Sequence, residues 1–118
     1  MRLSGVVPKG WGSEEIWVTN DKYCSKFMHF NKGAKFSMHF HAIKEETWYV
    51  MSGQFLVRWI DTSNSHIIEK ILDVGSVFRN EPLKPHQLIC LEEGTILEVS
   101  TPDSVEDNYR VAKGDSQK

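Results

Sequence analysis

Two histidines stand two residues apart, His39 and His41, with Glu46 following after four intervening residues and a third imidazole, His86, far downstream. In an extended strand residues i and i+2 point to the same face, so His39 and His41 present their rings side by side. Glu46 lies across an expected bend, from which its carboxylate can return to the same place. Three imidazoles and one carboxylate make an N3O ligand set. Such a set suits a divalent transition metal (Zn, Mn, Fe, Ni, Co or Cu) better than calcium or magnesium, which take mainly oxygen. Four protein ligands still leave room for water or substrate when coordination is five- or six-fold.

The elements that must hold these residues read as short strands. Segments rich in β-branched and aromatic residues alternate with turn signals, the mark of an all-β sandwich or barrel. Strands are expected at 15–19, 23–30, 36–41, 46–51, 54–60 and 66–72, with shorter ones at 76–78, 86–91 and 95–101. Asn20-Asp21, Asn31-Lys32-Gly33, Ser52-Gly53 and the polar run 61–65 punctuate them. No amphipathic helix of three turns is evident. Roughly eight to ten short strands in a chain of this length fit a small double-sheet jelly roll, whose open mouth can hold a small ligand. His39, His41, Glu46 and His86 are placed on inward-facing positions near that mouth. His29 and His66 fall outside it as surface or partly buried residues, and Glu45, of opposite parity to Glu46, is expected in solvent.

With 118 residues, 40% of them hydrophobic and 25% charged, the chain fits one domain with one core. The reading is a single domain over 1–112, its barrel core at about 22–101, and a polar, frayed tail at 113–118. A formal net charge of −2 with scattered Lys and Arg argues against a nucleic-acid or anionic-membrane partner. The apolar runs are too short to span a bilayer. The N-terminus lacks the apolar core of a secretory signal, and Cys24 and Cys90 share no close motif, so a cytoplasmic protein with buried thiols is expected.

Gly33, His39, His41, Glu46 and Gly53 reproduce the first motif of the cupin superfamily, G-x5-H-x-H-x3/4-E-x6-G, which this chain therefore resembles. The second motif, G-x5-P-x-G-x2-H-x3-N, is met by Gly75 and His86 at the right separation. Pro82 comes one place late, Lys84-Pro85 replaces the glycine context, and Cys90 stands in place of Asn. The resemblance implies a double-stranded β-helix, the jelly-roll cupin barrel, and metal ligation by His39, His41, Glu46 and His86.

A narrower resemblance begins at Lys9-Gly10-Trp11-Gly12-Ser13-Glu14-Glu15, which is similar to the start of the cupin domain of type II phosphomannose isomerases, with Gly10 for the usual Pro. The stretches 33–41 and 46–53 and the final strand with its acidic segment, Glu106-Asp107-Asn108-Tyr109-Arg110, are also similar. That family's Tyr-Gly-Arg terminus has no clear counterpart, since Tyr109-Arg110 stands too early. The resemblance implies a mannose-6-phosphate isomerase-like or other sugar-phosphate-acting protein, in which a metal polarises two oxygens while a base moves a proton between C1 and C2.

Substrate-binding candidates are Trp48, which shares parity with Glu46, and the cations Lys35, Arg58 and Arg79, with Lys84 beside them. The plainer reading for these is a core aromatic and solvated surface charges. Other readings stay open: a metal-dependent dioxygenase or lyase on another small molecule, or a non-catalytic small-molecule or sugar-binding cupin. A homodimer is expected, with the segment around 16–18 adding to a neighbour's sheet.

Overall fold

The computed structural model describes residues 5–102, 104 and 106–118. The described chain folds as β1 (Gly5–Lys9), β2 (Gly12–Thr19), β3 (Cys24–Phe30), β4 (Met38–Phe40), β5 (Glu46–Asp61), β6 (His66–Leu72), β7 (Val77–Asn80), β8 (His86–Ser100), β9 (Tyr109–Ala112) and a short 3-10 helix at Asp115–Gln117. The strand pairings are antiparallel, in the order β1-β2-β3-β8-β4-β9, and β5 pairs with β6, β7 and β8. This is the expected all-β jelly roll. Among the described residues no helix is long and apolar enough to cross a membrane.

β5 and β8 are its spine. β8 pairs with β5 from Glu46↔Ser100 to Trp59↔His86. Its other edge is shared by β3, over Phe30↔Gly94 to Cys24↔Ser100, and by β4, at His39↔His86. Alternation along this pair builds the core in rungs: Trp48 opposite Glu98, Val50 opposite Ile96, Phe55 opposite Cys90 and Val57 opposite Leu88, all buried. Phe30, Phe36 and Trp11 pack against this inner face.

The spacing predicts four strands where the structure has two. Ser52-Gly53 does not reverse the chain; it is a bulged bend inside β5, with register shifts from Val50 to Phe55. Gly53 has φ +82°, and a Cβ there would lie 2.5 Å from Glu92 O. A Cβ on Gly94 would lie 2.0 Å from Ser52 O. The two glycines let both strands kink at one level.

The strands at 5–9 and 109–112 carry no clear alternation and are not expected from sequence. β1 covers β2, pairing Gly5 with Ile16, while Ile16 also pairs with Lys26 of β3. Ile16 is therefore not at a sheet edge, and the outer position belongs to β1. The tail beyond 112 is not frayed. Asp115 N donates to Lys35 O at 2.9 Å, Lys35 N donates to Asp115 Oδ2 at 2.9 Å, and Gly10 N donates to Ser116 Oγ at 3.0 Å.

Candidate metal centre

His39 sits in β4 directly opposite His86, the first residue of β8, and His41 lies just beyond the end of β4. The ring centroids are 4.8 Å apart for His39 and His86, 5.1 Å for His39 and His41, and 5.9 Å for His41 and His86. One ligand atom from each of the three lies within 4.8 Å of the others.

A common hydrogen-bond arrangement orients the rings. Nδ1 lies 2.8 Å from Ser37 O in His39, 2.6 Å from Asp107 O in His41 and 2.8 Å from Lys84 O in His86. A carbonyl oxygen only accepts, so each Nδ1 carries the proton and each Nε2 keeps a lone pair in the neutral ring. Burial, reinforced by His86, lowers His39 to about 3, and burial also lowers His41. These two rings are neutral at pH 7, the state a metal requires.

Glu46, the first residue of β5, is buried and reaches the group through His86, its Oε1 2.9 Å from His86 Nε2. That Nε2 is buried without an aligned hydrogen-bond partner among the described residues. Two such atoms so close in a dry site need a cation between them, a proton or a metal ion, and a bound metal meets that need. The donor set thus fits a divalent transition metal. Burial pushes Glu46 up, but the hydrogen bond and charge that a protonated His86 supplies, with Lys44 beside it, hold its carboxyl well below the ordinary range.

His39 and His41 open on a cavity of about 390 Å³, whose other wall is a ladder of alternating charges. Glu46 meets Lys44 Nζ at 3.2 Å, and Lys44 meets Glu98 at 3.4 Å. Glu98 meets Lys26 at 3.5 Å, Lys26 meets Glu14 at 2.8 Å, and Glu14 meets Lys9 at 3.5 Å. Trp48 Nε1 donates to Glu98 Oε1 at 3.0 Å. Burial, together with the neighbouring Glu46 charge, raises the Glu98 carboxyl.

The structure brings His39, His41 and His86 together, with Glu46 against His86, and places the other candidates elsewhere. Lys35 is exposed, Arg58 Nε meets Glu69 at 3.0 Å, and exposed Arg79 pairs with Glu45. Trp48 is buried beneath the imidazoles, its ring centroid 5.6 Å from that of His86. Among the described residues none of these four lines the cavity, whose cations are Lys9, Lys26, Lys44 and Arg110. Lys84 Nζ donates to Arg79 O at 2.9 Å and lies 4.6 Å from the Phe78 ring centroid. His29 bridges Thr95 Oγ1 and Glu15 on another face, and His66 is exposed.

Strand parity does carry a signal for two of the residues missed: Lys26 alternates with buried Cys24 and Met28, and Glu98 with buried Ile96 and Ser100. Arg110 has no such signal. It lies opposite His39 only because β9 pairs with β4.

No protein-family model matches the chain, and no curated protein matches it in sequence. Solved structures do match in shape. The capsular polysaccharide assembling protein CapF of Staphylococcus aureus aligns with a TM-score of 0.80 at 18% identity, over 95% of this chain and 33% of that one. Oxalate decarboxylase of Bacillus subtilis aligns with a TM-score of 0.77 at 20% identity, over 91% of this chain and 30% of its own. KdgF of Halomonas sp. aligns with a TM-score of 0.69 at 18% identity, over 80% and 81%. The chain thus spans about a third of the length of the first two. These likenesses show the fold alone: the chain is a jelly roll, the fold that its resemblance to cupins implies.

Proposed function

We propose that this cupin holds a divalent transition metal on His39, His41, His86 and Glu46 and acts there on a small hydroxylated anion. A sugar phosphate undergoing aldose–ketose isomerisation suits it best. The observation that carries this reading is the set of three imidazoles, each with Nδ1 on a carbonyl, gathered so that His39 and His41 line a cavity containing both carboxylates and cations. When bound, the metal would polarise substrate oxygens on adjacent carbons. Arg110, opposite His39, supplies a planar cation for a phosphate group. To Glu98, on the cavity wall, we assign proton movement between C1 and C2. The likeness to a capsular polysaccharide assembling protein supports a carbohydrate substrate.

A second reading, a metal-dependent lyase on a small carboxylate, is favoured by the likeness to oxalate decarboxylase and uses the same Arg110. The decisive experiment incubates metal-loaded protein with mannose 6-phosphate, related hexose phosphates and small dicarboxylates. Ketose formation supports isomerisation, and carbon dioxide release supports the second reading. Metal binding without either leaves a non-catalytic sugar-binding cupin. A metal content unchanged in His41→Ala would show the centre to be misassigned. The same reading includes a cytoplasmic homodimer, for which gel filtration at several concentrations is the check.

A further inference from the structure

The acidic segment that follows β8 closes on the metal-centre loop from far away in sequence. The Asp107 carboxylate accepts from three successive backbone amides. Oδ1 takes Ala42 N at 2.7 Å and Ile43 N at 3.3 Å, while Oδ2 takes Ile43 N at 3.2 Å and Lys44 N at 2.9 Å. The same residue's carbonyl accepts from His41 Nδ1 at 2.6 Å. Asp107 is 8% exposed, and the turn it grips joins His41 to Glu46.

Successive amides pointing one way form a concave anion site, and here a carboxylate of the chain itself fills it. Buried amides need partners, and charge-assisted bonds to a carboxylate are the strong kind. Removing the carboxylate therefore frees the backbone between the two ligands. The consequences run in two directions. The carbonyl that sets the His41 tautomer is no longer fixed, and Lys44, whose Nζ lies 3.2 Å from Glu46, moves with the turn.

We infer that Asp107 is a positioning residue for the metal centre, fixing the His41 ring through its carbonyl and the His41-to-Glu46 spacing through its carboxylate. This inference rests on the metal-centre reading above. An amide at this position offers one acceptor oxygen and turns its NH2 towards a backbone donor, so Asp107→Asn loses the bond to Ala42 or to Lys44.

The test is Co(II) binding by the whole chain, read as a dissociation constant and as the visible spectrum of the bound ion. Asp107→Asn is expected to bind about 10- to 100-fold more weakly than the unaltered protein, with a changed spectrum and an unchanged far-UV circular dichroism. Asp107→Glu should recover part of the affinity, and Glu106→Gln, at an exposed neighbour, should match the unaltered protein. A folded Asp107→Asn with unaltered affinity and spectrum overturns the positioning role while the metal centre stands. Failure of the unaltered protein to bind Co(II) overturns both. A second measurement needs no variant: Co(II) loading should slow amide exchange at Ala42 and Lys44, and exchange unmoved by the metal overturns the coupling.

Discussion

His39 and His86 face one another across the β4–β8 ladder as direct register partners, with ring centroids 4.8 Å apart. The short strand β4 thereby delivers the His-x-His pair to the end of β8, where the third imidazole begins. Removing any one ring breaks the triangle. His86→Ala is expected to weaken metal binding by at least about 100-fold, and His29→Ala, which lies on another face, is expected to leave it unchanged. Metal analysis of the purified variants after dialysis checks this, and full metal content in His86→Ala would remove that residue from the centre.

The part of the site legible in sequence is the part governed by local parity. His39 and His41 share a face because they are two apart in an extended segment, and the glycines flanking them carried the resemblance to the fold. What was not legible depends on curvature and long-range register. Gly53 reads as a turn residue because its positive φ serves a hairpin and a bulged bend equally well; only the opposing Gly94 tells them apart. Lys35, Arg58 and Arg79 are candidates by charge alone, but which cations meet the cavity is decided by which strands pair. Arg110 reaches it through β9, and Asp107 meets His41 through a segment with no periodicity at all.

The contact between Gly94 and the Ser52 backbone leaves no room for a side chain, since a Cβ would stand 2.0 Å from Ser52 O. The neighbour is backbone and cannot rotate away. Gly94→Ala is therefore expected to cost about 1–3 kcal/mol as an overpacked site. Urea unfolding should show a lower midpoint at an unchanged slope, and a midpoint equal to that of the unaltered protein would mean the two strands can separate at little cost.

Lys44 is shared by two buried carboxylates, Glu46 at 3.2 Å and Glu98 at 3.4 Å. Lys44→Met leaves both without that charge, and breaking buried pairs in this way costs about 3–5 kcal/mol. The sign with pH follows from the protons. Without the ammonium, the buried carboxylates bind protons more readily folded than unfolded, so stability falls as pH rises above the ordinary carboxylate range. The deficit of the metal-free variant should accordingly be larger at pH 8 than at pH 5. A deficit independent of pH would place the effect of the substitution in packing.

Asp115 ties the C-terminal turn to β4's approach, its Oδ2 accepting from Lys35 N at 2.9 Å while its own amide donates to Lys35 O at 2.9 Å. The neighbouring Ser116 and Gln117 line the cavity, so this docking completes one wall. The Lys35 amide, helped by Lys118, outweighs burial and holds the Asp115 carboxyl below its ordinary range. A carboxylate with a depressed folded pKa contributes stability that is present above its unfolded value, about 3.9, and lost as pH falls through the folded one. The turn is therefore expected to stay docked from neutral pH to about pH 4 and to release below it. Asp115→Asn, which forfeits the charge-assisted bond, should loosen it at neutral pH by about 1 kcal/mol. The amide resonances of Gly10 and Lys35 report both bonds directly. They should shift together with Ser116 on acidification and take up the released positions in Asp115→Asn at pH 7; resonances unmoved in both experiments would assign the docking to backbone contacts alone.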